Sequence, residues 1–122
     1  MKLPGPDHPI TIEPNPRRVT VRFGGRVVAE TEAALTLREA SYPPVQYVPR
    51  ADADPALLQA SEHRTHCPYK GDARYFSIVL PDGRSAENAV WSYETPFPAM
   101  ARIAGHLAFY PNRVDAIEEA DA

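Results

Sequence analysis

The sequence predicts a mainly β protein, built of small antiparallel sheets of short strands with one or two short helices. Three observations point there. Apolar and polar residues alternate at period two in runs such as Val19-Thr20-Val21-Arg22-Phe23, the pattern of a half-buried strand. Turn-forming clusters, Gly24-Gly25 and Pro81-Asp82-Gly83, separate such runs. Fourteen prolines lie scattered through 122 residues; they shorten helices and favour strands joined by rigid turns.

Residues 1–17 read as an arm and lead-in, with three prolines and a glycine in the first nine positions. Within it, Ile10-Thr11-Ile12 makes a short edge strand cut off by Pro14 and Pro16. Residues 19–23 and 26–30, split by Gly24-Gly25, form a hairpin. Ala34–Glu39 is a third strand, placing Leu35 and Leu37 on one face and Thr36 and Arg38 on the other. After Pro43-Pro44 breaks the chain, Val45–Val48 resumes as a strand. Asp52 or Asp54 caps a brief helix over 55–59, with Pro55 at its first position. The segment around His66 and Cys67 reads as loop. Arg74–Leu80 and Arg84–Tyr93 form a second hairpin. Pro96 and Pro98 open a helix over roughly 97–106, whose Phe97, Met100, Ile103, Ala104 and Leu107 follow helical spacing, and Ala108-Phe109-Tyr110 returns as a final strand. The acidic end, 116–122, reads as frayed. A single globular domain over 18–115 results, with no repeat and no linker.

A formal charge of −3 and a pI near 5.8 argue against a dedicated nucleic-acid binder, which usually carries a basic face. No stretch approaches the roughly 20 apolar residues of a membrane span, and Met1–Pro6 has no apolar run of the kind a secretory signal carries. One cysteine makes no internal disulfide and fits a reducing, cytoplasmic setting.

The densest chemistry lies in Thr65-His66-Cys67-Pro68-Tyr69-Lys70-Gly71. A thiol beside an imidazole and a cation is a place where a thiolate is stabilised, and Pro68 and Gly71 bracket a turn. Cys67 is a candidate nucleophile; His66, or His63 or His106 through the fold, is a candidate base. The competing reading makes Cys67 a small buried apolar residue. His63, His66 and Cys67 also have zinc-compatible spacing, but no fourth ligand or second cysteine pair accompanies them, so no metal and no cofactor are expected. Arg38 offers a guanidinium fork for an anion, and Glu39 a general base; a plain surface ion pair is the alternative. Tyr42, Tyr47, Tyr69, Tyr75, Trp91, Tyr93 and Tyr110 suit either a ligand cleft or a core. Trp91 and Tyr93 share one strand face, expected to be the core side, with Arg38 or His66 as partner for the Tyr93 hydroxyl. His106 reads as a helix cap, and His8 as an uninformative arm residue.

Taken in order, Arg38-Glu39, Pro43-Pro44-Val45-Gln46-Tyr47-Val48-Pro49-Arg50, the His66–Gly71 run, Trp91-Ser92-Tyr93 and Ala108-Phe109-Tyr110 resemble the bacterial family catalogued as domain of unknown function 427, sometimes labelled a nucleotidyltransferase-like domain. The resemblance covers about residues 18–115. It implies a β-tent-like domain and no established reaction. The paired Cys-x-x-Cys zinc knuckles of many β-tent folds are absent, as are the Gly-Ser and Asp-x-Asp cluster of polymerase-type transferases and any Walker-type loop.

Two functions of different class follow. In the first, a polar, aromatic-lined pocket around the His-Cys turn binds a small anionic or carbonyl-bearing molecule, with Arg38, Tyr47, Lys70 and His66 holding it and Tyr69, Trp91 and Tyr93 as walls; Cys67, His66 and Glu39 are its candidate catalytic groups. In the second, the chain is a non-catalytic interaction scaffold that pairs through its arm or an open sheet edge, as a homo-oligomer or with another protein. Nucleotidyl transfer comes third. The expected partner is an unidentified small molecule, with neither nucleic acid nor membrane. Convergence of Arg38 with the His66-Cys67 turn is the geometric expectation beneath the first reading.

Overall fold

The computed structural model describes residues 1–122. The predicted hairpins lie within its sheets. Gly24 and Gly25, both at positive φ (60° and 78°), turn strand β2 into β3, and the 81–84 turn, with Gly83 at φ 92°, connects β7 to β8. The ten strands are β1 (Ile10–Asn15), β2 (Arg18–Phe23), β3 (Arg26–Thr31), β4 (Ala34–Glu39), β5 (Val45–Tyr47), β6 (Leu58–Cys67), β7 (Gly71–Val79), β8 (Ser85–Ser92), β9 (Leu107–Phe109) and β10 (Ala116–Ala120). They assemble into three antiparallel sheets ordered β1-β4-β5, β10-β2-β3 and β6-β7-β8-β9. The protein is mainly β, as the alternation predicts. No helix is long and apolar enough to cross a membrane.

The four-stranded sheet is covered on both faces. Period-two alternation along β7 sends Phe76 and Ile78 to one side and Ala73 and Tyr75 to the other. The first pair joins Val21, Val28, Val90, Leu107 and Phe109 in the larger core against β2 and β3. The second pair joins Leu37, Tyr47, Tyr93, Met100, Ile103 and Ala108 in a smaller core against β4 and β5. Tyrosines dominate that smaller core, and it contains the candidate site.

Four expectations are corrected. The His66-Cys67 segment is not loop: both residues end β6, paired with Asp72 and Gly71 of β7, and only Pro68–Lys70 turns. The 97–106 helix is a 3-10 turn over Pro98–Ile103, broken at Met100 (φ −110°, ψ 17°). Three-residue spacing of Phe97, Met100 and Ile103 fits three residues per turn as well as 3.6, and Gly105 at φ 71° stops it. The 55–59 helix shortens to a 3-10 turn over Pro55–Leu57, capped by the Asp54 side chain. Residues 116–120 are not frayed: they form β10, antiparallel to β2. Ile117 packs on the larger core, Glu118 pairs with Arg22 at 2.6 Å, and Glu119 accepts from the buried Asn15 amide at 2.9 Å. β1 likewise runs through Pro14 to Asn15, which an edge strand allows.

Candidate functional site

β4 delivers Glu39 to the tyrosine-rich side of the molecule. Alternation puts Glu39 on the inward face with Leu37 and turns Arg38 out to solvent, where Arg38 lines a separate shallow hollow with Glu13, Arg17 and Gln46. The turn after β6 delivers Lys70 from the opposite side. Gly71 holds φ 110°, and the Phe97 N–H donates to the Lys70 carbonyl at 3.0 Å, so the backbone around Lys70 is fixed and its side chain is directed inward. Lys70 is 7 % exposed, and its ammonium forms an ion pair with the Glu39 carboxylate, whose side chain is 15 % exposed. The Cys67 Sγ lies 3.7 Å from the same ammonium.

A third group arrives from the arm. His8 Nε2 is 2.8 Å from the other Glu39 oxygen, and its ring stacks on Tyr69 with centroids 4.0 Å apart and planes at 7°. The Lys2 N–H donates to the Pro68 carbonyl at 2.7 Å, and the Ala40 N–H to the Pro9 carbonyl at 2.8 Å. The arm is therefore docked along the site, and His8 is a site residue. Burial is the largest single influence on the Glu39 carboxyl and pushes its pKa up. The hydrogen bonds from Lys70 and His8, with their charges, outweigh it and leave the carboxyl below its ordinary value.

Above this pair opens a recess of about 380 Å³, lined by Leu37, Glu39, Tyr42, Pro43, Val45, Tyr47, Thr65, Lys70, Tyr75, Trp91, Tyr93 and Tyr110. Its phenols are organised. The Trp91 indole N–H donates to the Tyr47 hydroxyl at 3.3 Å, the Tyr75 and Tyr110 hydroxyls are 3.1 Å apart, and Thr65 Oγ1 meets Tyr75 at 3.0 Å. The Tyr110 ring lies 4.5 Å from that of Trp91. Burial raises the Tyr47 and Tyr93 pKa values above the phenol range. Burial, then the bond to Tyr75, raises Tyr110 to about 12. All three stay neutral at physiological pH, and those of Tyr47 and Tyr110 are hydrogen-bonded. The Tyr93 hydroxyl enters none of the hydrogen bonds around the recess.

Of the residues singled out in the sequence, Glu39, Tyr47, Lys70, Trp91 and Tyr93 come together here, and Cys67 lies behind Lys70. Arg38, His66 and Tyr69 do not line the recess. His66 points outward from the strand and pairs with Asp72 at 2.7 Å, both largely exposed, because successive strand residues face opposite ways. His66 and Cys67 therefore do not form an imidazole–thiol pair, and neither His66 nor Arg38 reaches the Tyr93 hydroxyl. His63 is exposed and edges onto the Tyr75 ring at 4.5 Å; His106 contacts the Ala104 carbonyl at 3.1 Å. No three His, Cys, Asp or Glu side chains cluster with metal-binding geometry, and Glu39 is the only carboxylate of the recess. Sequence reasoning missed His8, Thr65 and the shaping role of Leu37. His8 meets Glu39 across 31 residues, and no local pattern encodes that contact.

The family model described as "Domain of unknown function (DUF427)" matches residues 11–120. No curated protein matches the chain.

Proposed function

The chain belongs to the DUF427 family, a premise that names no reaction, and from it we propose that this protein binds a small carbonyl-bearing or anionic molecule in the tyrosine-lined recess above Lys70 and Glu39. One observation carries the reading: a nearly buried lysine, neutralised by a carboxylate, faces a concave space of about 380 Å³ whose walls are aromatic and whose polar groups converge. Small-molecule sites have this make-up, and their volumes run from about 300 to 1,000 Å³. Lys70 and the Tyr93 hydroxyl act as donors to the ligand oxygen. Tyr47, Trp91 and Tyr110 supply the faces that hold its body. Glu39, kept ionised, orients Lys70. Cys67 stands behind the ammonium, so nucleophile chemistry there would need Lys70 to swing aside; binding is the simpler role. With a lone thiol and no disulfide, the protein is read as cytoplasmic.

The scaffold reading has weaker support. β6 is the long edge of the four-stranded sheet, but a bulge between Ala60 and Arg64 interrupts it, and Glu62, His63 and Arg64 are exposed along it. Both features blunt strand addition.

A thermal-shift screen of small acids, ketones, amides and nucleotides tests the proposal. A true ligand at about 100 Kd adds about 2.7 kcal/mol of stability. Its shift should vanish in Lys70→Met and Tyr93→Phe. Stabilisers that shift wild type and both variants equally, or a silent screen, would refute it.

A further inference from the structure

A second recess, about 480 Å³, opens beside the first. Val19, Val21, Val48, Phe109, Pro111 and Ile117 make it apolar. Its only charged lining group is Glu119, which is already engaged by the Asn15 amide at 2.9 Å. The two recesses share Tyr42, Pro43, Val45 and Trp91. Trp91 directs its N–H to the Tyr47 hydroxyl of the polar recess, while its indole also lines the apolar one. Tyr42 stands 63 % exposed on the common lip. Its loop leaves β4 through Ala40 at φ 46°, a left-handed conformation that is unfavourable for alanine, and strained backbone of this kind gathers at binding sites.

Resting on the reading above, we propose that the two recesses are halves of one site, and that its ligand is a neutral carbonyl compound with an apolar tail: the carbonyl lies at Lys70 and Tyr93, and the tail passes Tyr42 and Trp91 into the Val48–Ile117 cleft. Charge decides the head group. Lys70 is already matched by Glu39, so an anion would meet a neutral ion pair with a carboxylate 15 % exposed beside it. A neutral carbonyl takes the free N–H and O–H donors without that repulsion. Apolarity decides the tail, because valine, isoleucine, phenylalanine and proline side chains make most of the cleft wall, and its Gln46 and Glu119 are already engaged through their oxygens by Asn15 and Thr36.

Trp91, the sole tryptophan, sits in the common wall, so its fluorescence reports binding, with calorimetry as an independent check. The probes are straight-chain 2-alkanones from C4 to C8 and the carboxylic acids of the same lengths. Affinity for the alkanones should tighten about three- to fourfold per methylene, the worth of a buried CH₂, and exceed that for the acids. Pro111→Glu, at an exposed cleft residue, should flatten the chain-length dependence; Ile117→Ser gives the same readout should Pro111→Glu fold poorly. Alkanones that bind with no gain per methylene, or an unchanged slope in both variants, would overturn the joined site and leave the polar recess standing. Acids binding better than ketones would overturn the neutral head group. Failure of every probe to bind would overturn this inference alone, because the proposed function is decided by the wider screen and its Lys70→Met and Tyr93→Phe variants.

Discussion

Removing Lys70 tests the physics of the site most directly. Lys70→Met keeps the length of the stem and deletes the ammonium, leaving the Glu39 carboxylate, 15 % exposed, with only His8 at 2.8 Å. Breaking a fully buried pair costs about 3–5 kcal/mol. Glu39 retains some solvent and one partner, so about 2–3 kcal/mol is expected at pH 7. In a chain of this size that lowers Tm by about 6–15 °C. The cost should depend on pH, with a definite sign. The Glu39 carboxyl in the folded wild type titrates below its ordinary value, so its stabilising contribution is complete above the unfolded-state pKa near 4.5 and disappears as pH falls through the lower folded value. Without Lys70, burial pushes the Glu39 pKa up, and a protonated carboxyl needs no counter-charge. Urea melts should therefore show the gap between wild type and variant closing as pH drops toward 4. The double variant Glu39→Gln with Lys70→Met should be more stable than additivity of the single changes predicts, because no charge is left stranded. A Lys70→Met protein within about 0.5 kcal/mol of wild type at pH 7, or strict additivity in the double variant, would show that the pair is a solvated surface contact and that the recess has no polar floor.

Three further outcomes follow. His8→Ala removes the second bond to Glu39 and the stack on Tyr69; a loss of about 1–2 kcal/mol is expected in urea melts at pH 7, with acid unfolding starting at higher pH because Glu39 loses a group that lowers its pKa, and an unchanged acid midpoint would contradict the docked arm. Gly24→Ala would drive its Cβ onto the buried Leu80 Cδ1 at φ 60°, for about 2–4 kcal/mol, whereas Gly25→Ala meets open space and should cost only about 1–2 kcal/mol of backbone strain; equal losses by thermal denaturation would show that the Leu80 contact does not constrain the turn. Ending the chain after Asp115 deletes β10, Ile117 and the Glu119–Asn15 bond, and should cost at least about 3 kcal/mol; circular dichroism melts identical to the full chain would restore the view of this segment as frayed.

The strands were legible because period two and turn chemistry are local signals. Val19–Phe23, Gly24-Gly25 and Pro81-Asp82-Gly83 state their conformations within a few residues, and the structure forms those hairpins. What misled were residues whose local signal and tertiary role disagree. Glu118 and Glu119 look like a solvated tail, yet acidic residues can edge a strand when Ile117 just before them packs inward and Arg22 and Asn15 bind their carboxylates. His66 and Cys67 look like loop because Pro68 follows, yet proline only limits where the strand stops. The 97–106 pattern fits either helix type, and the flanking prolines and Gly105 left room for only the shorter one.

The site divides along the same line. The recess gathers Glu39, Tyr47, Lys70, Trp91 and Tyr93, because a lysine, a carboxylate and many tyrosines are costly to bury without partners. Adjacency in sequence is no guide to contact: Arg38 beside Glu39, and His66 beside Cys67, lie on strands that send each couple to opposite faces. The same alternation that separates them produces the recess. Leu37 and Glu39 face in together on β4, and Thr65 and Cys67 do so on β6. Two strands far apart in sequence thus present one inward series each, and the tyrosines of β5, β7 and the segments after β8 and β9 fill the space between. Chemistry in this fold is therefore read two residues at a time along a strand, and the partner of any inward polar group is to be sought on another strand. His8 extends the rule beyond the sheets: the docked arm brings its ring to the Glu39 oxygen that Lys70 leaves free, 2.8 Å away.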